Sequence, residues 1–236
     1  MDRSQGIILR SRSDWFGLVE VFKLNTPISI VGFGDQARVL YEILQLNNQV
    51  SLICCFVNMD QNSAFHKKQW RGIPVLSSLA EFLCSEWCRN SRFIVALGNP
   101  IRRSELFTEL ISKGHEPISI IHPNAIISSD ATIGNGCMLS ALSYVGVNAE
   151  IGSDVILNTH ASVDHDCVIG SHVNISPGAT LCGRVIVGDY SFIGAGAVIA
   201  DEIQVGKRSI VAAGAVVVND VMDGLTVMGV PAMAKK

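Results

Sequence analysis

Every sixth residue from Ile121 to Val217 is Ile, Leu or Val, seventeen positions in succession with no insertion. The position four further on is mostly small, as at Ala131, Cys137, Ala149, Ala161, Cys167, Ala179 and Ala197. Gly often follows the aliphatic residue, as at 134, 146, 152, 170, 188 and 206. Six matches neither the 3.6-residue helical period nor a simple alternating strand. It fits a short flat strand followed by a corner, with the aliphatic side chain inward and a small residue packed beside the bend. Three such faces close one coil of eighteen residues. Hexapeptide arrays of this kind form parallel β-helices, in which each coil buries its interior only by stacking on the next. The expectation is a left-handed parallel β-helix of about six coils over residues 119–236.

The region before it is organised differently. "ISIVGFGDQARVLYEIL" runs strand, Gly32-x-Gly34-x-x-Ala37, then an amphipathic helix. "QVSLICCFVNMD" is a second strand ending at Asn58 and Asp60, "IPVL" a third, "SSLAEFLCSEWC" a helix, "RFIVALGNP" a strand and "IRRSELFTELISKG" a helix. This order predicts a small parallel sheet with helices on its faces, a Rossmann-like α/β domain over residues 26–118. Glycines at the first turn let a backbone approach a phosphate, and the following helix start favours an anion. Three readings stand: a dinucleotide such as NAD, for which about 95 residues is short; a nucleoside diphosphate on a half-sized site; or glycines that only shape the turn. Residues 1–25 form a separate lead-in, with a helix from "SDWFGLVEVFKL" capped by Ser13.

Composition excludes several classes. Eighteen basic against 21 acidic residues, a net charge of −3, give no basic stripe for nucleic acid. Mean hydropathy is +0.36, yet no apolar run reaches the roughly 20 residues of a membrane span. The opening residues lack a secretory apolar stretch, so a cytoplasmic protein is expected. The seven cysteines form no C-x-x-C pair and are read as small core residues.

The chemistry concentrates in "NTHASVDHDCVIG". Val163 is an inward aliphatic and Cys167 its small partner, so Asp164, His165 and Asp166 fall on a corner rather than in the core. A solvated corner is the bland reading. Against it, Asn158, Thr159 and His160 occupy the preceding corner, and a carboxylate beside a His can orient the ring as a general base. Gly183 lies one coil above His165, and its N–H is expected to be open to an oxyanion. His160 and His165 also share the spacing of two zinc-binding His in gamma-class carbonic anhydrases. The third His of such a site is missing, since no His lies between His122 and His160, so no metal is expected.

With "NISPGATLCG" and the terminal "GVPA", residues 26–236 resemble the nucleotide-activated amino-sugar N-acetyltransferases, which share their plan with sialic acid O-acetyltransferases. The resemblance implies transfer from acetyl-CoA to the 4-amino group of a UDP-, dTDP- or GDP-linked 4-amino-4,6-dideoxy sugar, with O-acetylation of a sialic acid as the alternative and a non-catalytic trimeric scaffold as the last. It implies His165 as general base, Asp166 as its acidic partner, and Asn158 and Asp164 in the same cleft. The Gly183 amide would hold the thioester carbonyl, Ala195 and Ala213 would contact the pantetheine arm in the groove above, and Asn174 would stand nearby. The nucleotide sugar would lie near Gly32, Gly34, Gln36, Asn58, Gly98 and Asn99, with active sites between subunits of a homotrimer. The family usually carries His where this chain has Gln36, an acid where it has Asn58, and often His where it has Asn174.

Overall fold

The structure is a computed structural model that describes residues 7–8, 26–59 and 68–235. The lead-in helix expected over residues 13–24 and Asp60 lie outside these. The N-terminal half is a five-stranded sheet built from β2 (Ile28–Val31), β3 (Ile53–Val57), β4 (Gln69–Trp70), β5 (Ile73–Leu76) and β6 (Arg92–Val95). Its order is β4-β5-β3-β2-β6, parallel except for β4, which pairs antiparallel with β5. The hairpin β4–β5 was not foreseen from the sequence. Its two turn residues, Arg71 and Gly72, both have positive φ (50° and 80°), the backbone that two-residue hairpins need.

Helix α1 (Asp35–Leu46) buries Ala37, Leu40, Ile43 and Leu44, a stripe at helical spacing, and no side chain caps its start at Gly34. The single helix expected at 77–88 is two, α2 (Leu79–Cys84) and α3 (Glu86–Asn90). Ser85 separates them: its backbone is extended and its hydroxyl accepts the Cys88 N–H, so it ends one helix by capping the next. Helix α4 (Pro100–Ser112) starts at Asn99, whose side chain accepts the Arg102 N–H at 3.0 Å, with Pro100 in the first turn.

The C-terminal half is a parallel β-helix with three faces, each a ladder of two-residue strands stacked one coil apart. The docked face carries Ile120–Ile121, Met138–Leu139, Ile156–Leu157, Asn174–Ile175, Phe192–Ile193 and Ile210–Val211, ending on Thr226–Met228. The middle face runs from Ile126–Ile127 to Val216–Val217, and the far face from Thr132–Ile133 to Gln204–Val205. Register advances by eighteen residues, as in Ile156↔Asn174 and Ser162↔Thr180. The short strand β1 (Ile7–Ile8) pairs antiparallel with Thr132–Ile133, at the bottom edge of the far face.

From Gly136 to Gly214 each corner is a tight turn whose second residue is left-handed: His160 (φ 57°), Asp166 (56°), His172 (64°) and Arg184 (60°) are examples. The hexad aliphatics and their small partners fill one continuous core, from Ile121 through Leu157, Val163, Cys167 and Ile175 to Val227. The outward residues of the lowest docked-face strands, Ile120, Met138 and Ile156, instead join the core beneath α1. Fully burying side chains of this size is worth about 1.5–3 kcal/mol each. Above them the docked face is uncovered by α1, and a cleft opens there.

Candidate active site

The three corners of the β-helix carry different chemistry. On the corner between the middle and far faces, the His165 backbone N–H donates to Asp164 Oδ1 at 2.7 Å, and its Nδ1 is 2.9 Å from Asp166 Oδ2. Both side chains are nearly half exposed (43% and 47%). The hydrogen bond from His165, followed by one from Asn148, holds the Asp166 carboxyl below its ordinary range. An ionised carboxylate only accepts, so Nδ1 carries a proton, and in the neutral ring the lone pair is on Nε2. Among the described residues no hydrogen bond occupies Nε2.

Gly183 sits one coil above. A Cβ there would meet His165 Cε1 and Nε2 at 2.6 Å, so only a glycine leaves room for the ring. The expected open amide is not open, however. The Gly183 N–H donates to Asp201 Oδ1 at 3.1 Å. The cause is the repeat itself, because Asp201 lies eighteen residues further on and stacks on the same corner. Ser153 and Ser171 show the same pattern, their N–H groups donating to Ser171 Oγ and Asp189 Oδ1 one coil above.

Cys167, two residues from His165, is fully buried, and its thiol donates to the Cys182 carbonyl at 3.1 Å. Burial pushes its pKa up to about 11. It is a core residue and not a nucleophile. His122 is buried at the entry to the coil and accepts the Asn124 N–H on Nδ1 at 2.9 Å. His160 and His165 stand on different corners, and among the described residues no three His, Cys, Asp or Glu side chains gather as a metal site.

The second constellation is the cleft above α1. A cavity of about 750 Å³ lies between the N-terminal domain and the docked face, lined by Gln36, Gly98 and Asn99 on one side and by Asn158, Asn174, Ser176, Tyr190, Phe192 and Arg208 on the other. Asn174 is 5% exposed, and its Oδ1, like Gln36 Oε1, has no hydrogen-bond partner among the described residues. Gly34 and Gly98 have open space where a side chain would project. Gly32 does not: a Cβ there would lie 2.6 Å from the Ala96 carbonyl oxygen, so this glycine serves strand packing. Asn58 follows β3 and its N–H donates to the Leu76 carbonyl.

Within one chain, Asp164, His165, Asp166 and Gly183 therefore meet on one corner, while Gln36, Gly98, Asn99, Asn158 and Asn174 meet in the cavity. Asn158 does not share the cleft of His165. A whole hexad and the strand Ser162–Val163 separate its corner from theirs. Ala195 and Ala213 are exposed on the Asn158 corner, one face away from Gly183.

One functional feature was missed. Arg103, on α4, is 1% exposed and pairs with the fully buried Asp154 at 3.1 Å, while its other nitrogens donate to the carbonyls of Leu97, Asp154 and His172. His172 Nδ1 lies 2.8 Å from the same Asp154 carboxylate. Burial lowers the Arg103 pKa and Asp154 opposes it. This pair fastens the domain to the third corner and fixes the loop carrying Gly98 and Asn99. The eighteen-residue spacing of Asp154 and His172 was a legible signal; the arrival of Arg103 was not.

Comparison with known proteins places this geometry. Residues 27–110 match the family model of the PglD N-terminal domain, and residues 148–183 and 184–219 that of the bacterial transferase hexapeptide, six repeats. A mutant GDP-perosamine N-acetyl transferase from Caulobacter crescentus, solved with CoA and GDP-perosamine, superposes with a TM-score of 0.82 at 30% identity, over 90% of this chain and 98% of that one. The chain belongs to this family of hexapeptide-repeat N-acetyltransferases. The acetyltransferase domain of PglB from Neisseria gonorrhoeae is likewise similar, with 32% identity, a TM-score of 0.81, and 89% and 100% of the two chains covered. A UDP-N-acetylbacillosamine N-acetyltransferase of Bacillus subtilis is 32% identical over 114 residues, 48% of this chain and 51% of the relative, so the match spans about half that relative's length. As in these N-acetyltransferases, the β-helix is left-handed.

Proposed function

We propose that the protein transfers acetyl from acetyl-CoA to the 4-amino group of a nucleotide-linked 4-amino-4,6-dideoxy sugar, in a homotrimer whose active sites lie between subunits. The observation that carries this reading is the pairing of an ionised Asp166 with His165 Nδ1, which leaves Nε2 basic against the backbone of Gly183. The cavity holds the nucleotide sugar, and its amine reaches the His165 corner of a neighbouring subunit. This explains why the cavity and the base occupy different corners of one chain.

The neutral amine attacks the thioester carbonyl carbon, and His165 Nε2 accepts the proton released as the C–N bond forms. The oxyanion takes the Gly183 N–H in place of the Asp201 carboxylate, which sits on an exposed turn and holds that amide through a single hydrogen bond. The C–S bond then breaks, and the imidazolium returns its proton to the departing CoA thiolate. Buried Cys167 forms no acetyl-enzyme in this scheme.

A substrate panel tests the reading. CoA release is followed with UDP-, dTDP- and GDP-linked 4-amino sugars and with free sialic acid. Turnover of at least one nucleotide-linked amino sugar is expected, and turnover of sialic acid alone would reassign the protein to O-acetylation.

A further inference from the structure

The cavity has a polar direction. Two of the residues lining it carry a buried oxygen that no donor reaches among the described residues: Asn174 Oδ1, on the docked face two coils below Arg208, and Gln36 Oε1 on α1. Buried polar atoms are normally satisfied, so a pair of orphans facing one cavity calls for a ligand that brings donors. At the other end stands Arg208, the one cation among the residues lining the cavity.

Arg208 is placed rather than merely present. Its guanidinium lies 5.3 Å from the centre of the Tyr190 ring, which stacks on His172 at 4.9 Å with an 18° interplanar angle. His172 in turn is held by Asp154, so the column stands on the buried ion pair of Arg103. Of the carboxylates near it, Asp189 is engaged by Lys207 Nζ at 2.9 Å and by the Ser171 N–H at 2.9 Å, and Asp223 accepts the Lys207 N–H at 2.7 Å. Arg208 forms no ion pair among the described residues, so its charge remains available to a ligand. A planar guanidinium that rests on an aromatic ring keeps its donor edge for a phosphate, a fork that lysine does not offer.

We propose that Arg208 is the anion-binding residue of the cavity, and that Arg208 and, two coils below it, Asn174 orient a nucleotide-linked amino sugar with its diphosphate toward Arg208 and its amine toward Asn174. This rests on the function proposed above and adds a direction to it. The reverse orientation sets the amine's N–H donors against a guanidinium, which accepts none, and the diphosphate against amide oxygens, which donate none. The forward orientation holds the amine at the Asn174 end of the cavity, away from the guanidinium.

The test uses the full chain as wild type, Arg208→Ala, Arg208→Lys and Asn174→Ala, with melting temperatures recorded for each. Binding of bare UDP, dTDP and GDP is measured by calorimetry at two salt concentrations, and steady-state kinetics are measured with the accepted amino-sugar nucleotide and acetyl-CoA. Arg208→Ala should weaken the preferred nucleoside diphosphate about 10- to 100-fold, the range for a lost hydrogen-bonded charge. It should also flatten the salt dependence and leave the KM for acetyl-CoA in place, with Arg208→Lys intermediate. Asn174→Ala should raise the KM for the amino sugar without moving the affinity for the bare nucleotide. Unchanged nucleotide binding in Arg208→Ala overturns the proposal, as does a rise confined to the KM for acetyl-CoA, which would assign the cation to the phosphates of CoA. Failure of the wild type to acetylate any nucleotide-linked amino sugar would instead sink the parent reading, because the binding arm is read independently of turnover.

Discussion

The imidazole of His165 lies directly beneath the backbone of Gly183, so close that a methyl on the glycine would come within 2.6 Å of both Cε1 and Nε2. The β-helix creates this contact without any local signal, because residues eighteen apart are stacked neighbours. It sets up the first test. Gly183→Ala should displace the ring and cut acetyl transfer by at least ~10-fold, while the melting temperature stays within a few degrees, since an exposed ring can rotate away cheaply. Wild-type turnover in Gly183→Ala would show that the ring position is irrelevant to the reaction.

Removing the base itself should cost more. His165→Ala is expected to lower kcat/KM by about 100-fold or more, the scale of a lost general base. Asp166 supplies the pH dependence. Its folded pKa is depressed, so the contact with His165 is present above the ordinary carboxylate pKa of about 3.9 and is lost only as the pH falls below that, through the folded value. The acid limb of kcat/KM should therefore follow one proton, not two. A limb of slope two would mean that Asp166 and His165 titrate together and that the orienting contact fails in the working range.

Asp201 competes with the thioester for the Gly183 amide. Asp201→Ala should free that donor and lower the KM for acetyl-CoA about three- to tenfold, as expected for one exchanged hydrogen bond. No change, with full turnover, would remove the Gly183 N–H from the oxyanion role.

The buried pair of Arg103 and Asp154 gives a stability prediction. Arg103→Met strips the Asp154 carboxylate, at 0% exposure, of its guanidinium and leaves it only the His172 ring, and should destabilise the fold by about 3–5 kcal/mol. The double replacement Arg103→Met with Asp154→Leu should recover much of that, because it removes the buried charge along with its partner. Chemical denaturation of the single and double variants measures both. Equal losses would place the energy in side-chain volume rather than charge.

Cys167 supplies a negative control for covalent catalysis. With its pKa pushed up to about 11 and its thiol on a backbone carbonyl, Cys167→Ala should retain acetyl transfer, and in the wild type Cys167 should resist iodoacetamide at pH 8 while exposed Cys84 is alkylated. A labelled acetyl group recovered on Cys167 would require a different mechanism.

The linear order of residues determined more of this molecule than is usual. A strict period of six can bury one aliphatic per rung only by coiling, so the β-helix, its inward residues and the corner position of Asp164, His165 and Asp166 all followed from counting. The eighteen-residue spacing also brought Gly183 above His165 and Asp154 beside His172. Where local signals were short, the reading was coarser: the break at Ser85 and the hairpin β4–β5 depend on single turn residues inside otherwise regular stretches.

Tertiary structure alone decided three things. It put Asp201 on the Gly183 amide, because whether a side chain folds back on its own corner depends on rotamers that no repeat encodes. It set the Asn158 corner beside the N-terminal domain, where Asn158 lines a cavity with Gly98 and Asn99. And it brought Arg103 from α4 against the third corner, where it pairs with buried Asp154. Spacing along a chain fixes contacts within a repeat; contacts between a repeat and a globular domain depend on how two surfaces dock, which is a property of shape.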